Sequence, residues 1–252
     1  MEEKHVLQLT AAQLDEALSN ALRISNPNLF GNWYFVNPVN QRGETKYSVV
    51  AGSTDLYSID RWRIRNGAGD LIVEEDGIRL RCTSSTYDLY VEQYFEKLSA
   101  ADAVCFSLLA SEASGKVYFQ TGHVVSNSYG PVGQVSEGIT QVVDTSKRDI
   151  ARVIIQLKPG ASVKLRAAKL EYGTMQTLCH KDDSGNLVLN EIPNYAEELA
   201  KCQRYYQLFS SADKRPSDKR DFRPELRTNA TSANTGTIVI DGVTYYYADA
   251  NL

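Results

Sequence analysis

The chain of 252 residues is long enough to bury a sizeable core, and β-sandwiches of this length often form a single domain. Its formal net charge of −4 argues against nucleic acid as a partner, and no long Lys/Arg cluster interleaves with aromatic residues. Fifteen tyrosines and only two methionines favour strands over a methionine-rich helical protein. Because no apolar run reaches about 18 residues, we expect no insertion into a membrane.

The N-terminus and the cysteines bear on the compartment. The first residues lack the basic start and the unbroken apolar run of a signal peptide, so we expect the protein to be made in a cytoplasm and to leave it by another route, such as lysis. Four widely spaced cysteines form no CxxC pair: Cys82, Cys105, Cys179 and Cys202. They predict free, mostly buried thiols and neither a zinc site nor a disulfide scaffold.

The first predicted element is a short N-terminal helix over residues 11–23. Thr10 is its predicted N-cap, and Gln13 completes a capping box. Apolar residues follow the alternating spacing of a coiled-coil seam: Leu7, Ala11, Leu14, Leu18 and Ala21. Two interpretations remain open, an amphipathic helix that lies on its own domain and an oligomerising or anchoring helix that bundles with copies of itself. We assign residues 1–27 to this segment because Pro27 ends the helix.

The remainder, residues 28–252, changes to short apolar or alternating runs separated by turn residues. The predicted strands are 32–36, 46–50, 61–65, 70–74, 77–82, 89–95, 103–110, 116–120, 138–143, 149–157 and 162–171. Many short strands with no helices between them predict a mainly β fold, an antiparallel β-sandwich or jelly roll. The last two strands are interpreted as a hairpin joined across Lys158 to Ala161, with one dry and one wet face.

After these strands the pattern becomes mixed. A polar loop is expected over residues 178–192, followed by one later helix, capped by Asn194 with Glu197 as its capping-box partner, that passes into a strand. The charged segment near 210–235 is either a solvated loop or an arm. A final hairpin has Asp241 and Gly242 as its two-residue turn.

Catalytic constellations are absent from the sequence. None of the histidines His5, His123 and His180 belongs to an HxxxH or HExxH motif, and no GxSxG elbow, P-loop or GxGxxG occurs. Carboxylates at 74–76 are compatible with a glycosidase pair but fit a solvated bend better. The DDSGN run at 182–186 offers oxygen ligands for calcium, yet a turn explains it without an ion. We therefore expect a non-enzyme with no catalytic residue, no metal site and no cofactor.

Aromatic residues are the better indication of binding. Faces on which sugar rings stack are available at Trp33, Tyr34, Trp62, Tyr205, Tyr206 and Tyr245 to Tyr247, although packing in the core is the default role of such residues in strands. Adjacent strand residues point to opposite faces, so either Tyr246 or its two neighbours are exposed. Tyr245, Tyr246 and Tyr247 are the candidate ligand-binding residues.

Several motifs stand in the same order as in a known group of proteins. They are NLFGNWYFVNPVNQRG (28–43), YSIDRWRI (57–64), AAKLEYG (167–173), ELAKCQRYYQ (198–207), FRPELRT (222–228) and the terminal ADANL. In these motifs the chain resembles bacteriophage and prophage tail, baseplate or head fibre proteins over most of residues 28–252. It departs from them where their usual Pro-Met is Pro224-Glu225, and in the short, highly charged loop after Phe209.

The resemblance implies a jelly roll similar to carbohydrate-binding modules, carried on a virion, often trimeric and without a catalytic residue. The motif residues are interpreted as scaffold: Trp33, Asp60, Arg61, Trp62, Glu171, Gln203, Arg204 and Tyr205. Within this set we expect an Asp60–Arg61 ion pair beside Trp62 and a pair between Arg204 and Glu171. Function is then expected on the loops between strands.

Three functions follow from these observations. The first is a structural virion protein, a fibre, tip or capsid-decorating subunit. It would be a homotrimer that contacts other virion proteins through its N-terminal segment and host surface glycans through the sandwich. The second is a free-standing carbohydrate-binding module, and the third is a glycan depolymerase.

Overall fold

The computed structural model describes residues 10, 11, 13, 25–52, 55–99, 102–124, 128–210, 220, 224–227 and 234–251, without the side chains of Lys97 and Asn234. Two six-stranded antiparallel sheets form its body. The first sheet comprises, in spatial order, Lys46–Val49 (β1), Gly69–Glu74 (β4), Gly77–Cys82 (β5), Ser162–Tyr172 (β12), Val104–Ser114 (β7) and Gly138–Asp144 (β10). The second comprises Leu56–Tyr57 (β2), Arg63–Asn66 (β3), Leu89–Leu98 (β6), Ile150–Leu157 (β11), Val117–His123 (β8) and Gly133–Gln134 (β9).

Smaller elements follow the sandwich in the chain. They are the hairpin Cys179–Lys181 (β13) and Leu187–Leu189 (β14), the helix Tyr195–Gln203 (α1), and a C-terminal sheet of Tyr206–Ser210 (β15), Asn234–Ile240 (β16) and Val243–Asp249 (β17). In this sheet β17 lies between β15 and β16. The final hairpin is confirmed, with Asp241 and Gly242 at positive φ in its turn.

The predicted antiparallel β-sandwich is confirmed. From β5 onward the long strands alternate between the two sheets, which is jelly-roll connectivity. The core between the sheets contains large, fully buried side chains: Phe30, Phe35, Trp62, Phe106 and Phe119. Phe106 on β7 and Phe119 on β8 reach this core because alternate strand residues point inward, whereas Phe30, Phe35 and Trp62 enter it from segments outside the strands.

The predicted hairpin across Lys158 to Ala161 is wrong. β11 pairs with β6 and β8, whereas β12 pairs with β5 and β7, so the connection crosses from one sheet to the other. The expected wet face of β12 is confirmed only at Arg166, because Ala168 is fully buried and Lys164 is buried under Glu74 and Asp76. Apolar residues of both strands meet across the core, and this face-to-face packing replaces the expected side-by-side pairing.

The predicted strand at 32–36 is wrong as well. The segment runs beside β12, where Leu29 N donates to Leu170 O (2.8 Å) and Phe35 N to Arg166 O (3.0 Å). Only Tyr34 forms a β-bridge there. Asn32 has a φ of 57°, which breaks the extended backbone.

Both predicted N-caps are confirmed, whereas Glu197 makes no capping-box bond to Asn194 in the described part of the chain. Asn194 caps α1, its side chain accepting from Ala196 N at 2.9 Å. Thr10 and Gln13 form the capping box, with reciprocal bonds of 3.0 and 3.2 Å. The seam stays a prediction, because Leu7, Leu14, Leu18 and Ala21 lie outside the described residues, as does most of the charged segment. Ala11, the remaining seam residue, is helical and exposed.

The predicted loop at 178–192 contains the β13–β14 hairpin. Its turn is closed by Asp182 Oδ1, which accepts from the backbone N–H groups of Ser184 (2.9 Å) and Asn186 (2.8 Å). These bonds explain the DDSGN run as a turn. All four cysteines are free and buried, as predicted. No helix in the described ranges is long and apolar enough to cross a membrane.

Candidate functional site

A buried arginine joins the C-terminal sheet to the sandwich. Arg42 is 9% exposed, and it binds Asp60 Oδ1 through Nη1 and Asp249 Oδ2 through Nη2, each at 2.9 Å. Its guanidinium lies 3.8 Å from the centroid of the Tyr206 ring. Arg42 belongs to the NQRG motif and its three partners to DRW, CQRYYQ and ADANL, so four of the sequence motifs meet at one residue.

The expected Asp60–Arg61 ion pair is therefore corrected. Asp60 pairs with Arg42, and Gln41 N donates to its second oxygen at 3.1 Å. Burial raises the pKa of Asp60 to about 6, against the opposing charge of Arg42. Arg61 instead lies 3.4 Å from the centroid of the Tyr205 ring and donates to Tyr94 O at 2.6 Å.

The two tryptophans are buried beside this junction. Trp62 Nε1 donates to Asn32 O at 2.9 Å, and Trp33 is 3% exposed. The Asn32 amide donates to the carbonyls of Val39 (2.8 Å) and Asp60 (2.7 Å). Both aromatic side chains are thus enclosed in the interior and present no face to a ligand.

The expected Arg204–Glu171 pair is wrong. Glu171 is fully buried and accepts from the backbone N–H and the hydroxyl of Thr177 at 2.6 and 2.5 Å. Arg204 is exposed and pairs with Glu96 at 3.4 Å. Gln203, at the end of α1, accepts through its carbonyl from Gln207 Nε2 at 2.7 Å.

A cleft of about 480 Å³ opens where the C-terminal sheet meets the edge of the sandwich. We call it the tyrosine cleft. Its lining consists of aromatic, acidic, basic and hydroxyl side chains: Arg42, Glu44, Lys46, Tyr47, Ser48, Asp55, Leu56, Tyr57, Tyr206, Thr237, Ile238, Tyr247 and Asp249. Tyr206 and Tyr247 stack with their ring centroids 5.7 Å apart. The cleft therefore combines aromatic surface with hydrogen-bonding groups of both kinds.

The three candidate tyrosines separate along β17. Tyr247 lines the tyrosine cleft, and Tyr246 points to the opposite face of the sheet, where it is 41% exposed. Tyr245 is half-buried and does not line the cleft. Alternation along the strand accounts for the opposite directions of Tyr246 and Tyr247, but not for the absence of Tyr245 from the cleft. Two aromatic residues singled out from the sequence, Tyr206 and Tyr247, thus lie in the cleft, whereas no sequence pattern pointed to Tyr57.

The polar groups of the tyrosine cleft are held in fixed positions. Asp55 pairs with Arg63 at 2.8 Å and Asp249 with Arg42 at 2.9 Å, so each carboxylate is oriented by a guanidinium. Burial raises the pKa of Tyr57 to about 12. The phenol therefore stays protonated at neutral pH and can both donate and accept a hydrogen bond.

The structure also brings together a histidine, an acid and a serine that are separate in the sequence. His123 Nε2 lies 2.6 Å from Asp144 Oδ2, and His123 Nδ1 lies 3.1 Å from Ser128 Oγ. Thr121 donates to the same carboxylate oxygen at 2.6 Å. The His123 side chain is only 1% exposed, so we interpret the cluster as packing that joins β8 to β10.

The carboxylates considered for catalysis and metal binding have structural partners. Glu74 binds Arg79 and Lys164, and Asp76 binds Lys164. No group of three or more His, Cys, Asp or Glu side chains with metal-binding geometry occurs in the part of the chain that the structure describes.

No protein-family model and no curated protein matches the sequence. Among solved structures, the apo CBM1 module of BiXyn10A matches with a TM-score of 0.37 and 10% identity, over 59% of this chain and 100% of that chain. A family 29 carbohydrate-binding module matches with a TM-score of 0.34 and 8% identity, over 50% of this chain and 87% of that one. A variant of CBM29-2 complexed with cellulohexaose gives a TM-score of 0.34 and 8% identity, over 50% and 89%.

Proposed function

We propose that this chain is a carbohydrate-binding protein that holds a saccharide in the tyrosine cleft without cleaving it. The observation that carries the proposal is the lining of the cleft, where the ring of Tyr247, backed by the buried ring of Tyr206, stands beside the carboxylate of Asp249. The volume of about 480 Å³ lies in the range of about 300–1,000 Å³ that small-ligand sites occupy.

A sugar ring suits this lining because it is amphipathic. Its C–H face packs on an aromatic plane, and its hydroxyls need partners that donate and partners that accept. Asp55 and Asp249 supply acceptors, Lys46 supplies donors, and the Tyr57 hydroxyl supplies both. The carboxylates are already oriented by arginines, so binding a sugar costs little ordering of these side chains.

A glycan array probed with the labelled protein and two single variants tests the proposal. Tyr247→Ala removes a ring from the tyrosine cleft, and Tyr246→Ala removes the adjacent ring on the opposite face of the same strand. We expect the wild-type protein and Tyr246→Ala to bind the same neutral glycans and Tyr247→Ala to lose them. If the wild-type protein binds no glycan on the array, the result contradicts the proposal.

A second candidate is a structural subunit of a bacteriophage particle, a homotrimer assembled through residues 1–27 and displaying the sandwich to host surface glycans. The ordered motifs in which the chain resembles phage fibre proteins support it, and four of these motifs meet at Arg42. In this setting the tyrosine cleft would be the part that meets the host.

Measuring the mass of the purified chain in solution, with and without residues 1–27, tests this second candidate. We expect a trimer for the full chain and a monomer after truncation. A monomer in both forms would contradict the fibre assembly and leave glycan binding by a single chain untouched.

A further inference from the structure

The outer face of the second sheet carries a cluster of arginines and tyrosines outside the tyrosine cleft. We call it the guanidinium face, and it consists of Arg63 and Arg65 on β3, Tyr90, Glu92 and Tyr94 on β6, Arg152 on β11, and Tyr129. Strand register places these residues in rows, since Arg63 is opposite Glu92, Arg65 is opposite Tyr90, and Arg152 is opposite Tyr94.

Glu92 is the fixed centre of the guanidinium face. It is fully buried and binds Arg65 at 2.9 and 2.8 Å in a two-pronged contact, and Arg63 at 3.0 Å. Burial by itself raises the pKa of Glu92, but the hydrogen bond from Arg65 and the charges around it outweigh burial and lower that pKa. The carboxylate is therefore ionised at neutral pH. The three guanidiniums of Arg63, Arg65 and Arg152 carry three positive charges. The carboxylates of Glu92 and Asp55 carry two negative charges, so one positive charge is in excess.

That excess is concentrated at Arg152. Its nearest carboxylate oxygen, Oε1 of Glu92, is 3.8 Å away and already bound by Arg65. Its hydrogen bonds go to the phenols of Tyr94 (2.6 Å) and Tyr129 (3.2 Å), which are neutral partners. A guanidinium that is only 16% exposed usually has an anionic partner of its own, because removing charge from water is costly.

The space around Arg152 is provided by a glycine. Gly122 is its register partner on β8, and a β-carbon there would stand 2.9 Å from Arg152 Cγ. The exposed ring of Tyr129, 49% accessible, lies beside the guanidinium at 5.8 Å. Arg152 is thus held in place next to an aromatic surface that is open to solvent.

We propose that the guanidinium face is a second saccharide site, selective for sugars that carry an anionic group, with the carboxylate or sulfate paired to Arg152 and the sugar ring on Tyr129. The fork of a guanidinium matches the two oxygens of such a group. The inference rests on the proposed function only in taking a saccharide as the ligand, since it uses different residues.

Calorimetric titration of a galacturonate trisaccharide, its neutral methyl ester and a sulfated trisaccharide tests the inference. We expect the wild-type protein to bind the acid about ten-fold more tightly than the ester at low salt, with the difference shrinking as salt screens the charge. The affinity for the sulfated trisaccharide, compared with that for the galacturonate trisaccharide, shows whether the site prefers a carboxylate or a sulfate. Equal affinity for the anionic and neutral sugars would overturn the inference.

Matched variants locate the effect. Arg152→Gln is expected to abolish the preference for the acid, and Arg81→Gln, the same charge change at an exposed position on the first sheet, to leave it unchanged. Equal effects of the two variants would also overturn the inference. If Arg152→Gln fails to fold, Tyr129→Ala replaces it, because its side chain is exposed. Tyr129→Ala should bind the acidic sugar several-fold more weakly than the wild-type protein does, and an unchanged affinity would contradict the proposed site.

The two proposed sites can be disproved independently of each other. Tyr247→Ala is expected to lose glycan binding in the tyrosine cleft and to keep the preference for acid at the guanidinium face. Loss of acid binding in Tyr247→Ala, with no loss in Arg152→Gln, would assign all binding to the cleft.

Discussion

The ring of Tyr247 lies against Gly236 on the neighbouring strand, where a β-carbon would stand 2.7 Å from the phenol oxygen. The two residues are register partners in the β16–β17 pair. Because glycine has no side chain, the ring can lie close to the strand and stack on Tyr206. One glycine therefore sets the position of a wall of the tyrosine cleft.

Gly236→Ala should displace this ring without removing any polar group from the cleft. We expect a loss of about 1–2 kcal/mol in the free energy of unfolding from overpacking, together with weaker glycan binding. Urea unfolding and a glycan titration measure the two effects. Val239→Ala, at a position of the same strand that is 60% exposed, is the control and should change neither. Full glycan affinity in Gly236→Ala would contradict the role given to the ring.

Arg42→Met should be among the most destabilising single changes at the junction. It removes the common partner of Asp60 and Asp249, and Asp60 is only 1% exposed. Leaving a buried carboxylate unpaired costs about 3–5 kcal/mol, which urea unfolding would detect.

The control for that change is Arg204→Met, which removes an arginine whose side chain is 53% exposed and whose partner is Glu96. An exposed pair contributes about 0–1 kcal/mol, so its unfolding midpoint should scarcely move. Similar losses in the two variants would show that Arg42 has no special place in the junction.

Gly43, the last residue of the NQRG motif, tests how the C-terminal hairpin packs. Its φ is +76°, and a β-carbon would stand 2.8 Å from Ile240 Cγ2. Gly52 has nearly the same φ, +79°, but nothing lies within 4 Å of the corresponding position. Gly52→Ala should therefore cost about 1 kcal/mol from backbone strain alone, and Gly43→Ala about 2–3 kcal/mol from strain and overpacking. Equal unfolding free energies would exclude the contact with Ile240.

Asp144 predicts a pH dependence of stability. Burial by itself raises the pKa of Asp144, but hydrogen bonds from Ser146, Thr121 and His123 outweigh burial and lower that pKa to about 2. A pKa lower in the folded than in the unfolded state stabilises the fold above the unfolded value of 3.8, and this stabilisation is lost as the pH falls towards 2.

Unfolding of the wild-type protein and of Asp144→Asn, followed between pH 6 and pH 2 by urea titration, measures this contribution. We expect the wild-type protein to be more stable by about 1–2 kcal/mol at pH 6, and we expect this difference to shrink below about pH 4 and to close near pH 2. A difference that stays constant with pH would exclude the ionised carboxylate as its source.

The sequence predicts where the strands lie better than it predicts which strands pair with one another. The alternation at Gly77–Cys82 gave β5 with its observed bounds, because period-two patterning reports which side chains share a face. It does not report which sheet a strand joins, so β11 and β12 were expected as a hairpin although they belong to opposite sheets. Asn32, at positive φ, likewise interrupts a segment with strand-like composition.

The candidate sites were less accessible to sequence reasoning. Alternation indicated that Tyr247 and Tyr246 point apart, but the partners of Tyr247 come from distant parts of the chain. Arg152 and Glu92 are 60 positions apart, and only the pairing of β6 with β11 brings them together. Three of the motifs each contain one contact of Arg42, namely Asp60, Tyr206 and Asp249, but the sequence does not indicate which side chains pair.

The most direct test of saccharide binding in the tyrosine cleft is a calorimetric titration of one array-selected neutral glycan into the wild-type protein, Tyr247→Ala and Tyr246→Ala. The variants lose the same side chain from adjacent positions on one strand, so general effects on folding are matched. We predict that the wild-type protein and Tyr246→Ala bind with the same Kd and that Tyr247→Ala binds at least about ten-fold more weakly. Equal affinities in Tyr247→Ala and Tyr246→Ala, or a larger loss in Tyr246→Ala, would contradict a binding site in the tyrosine cleft.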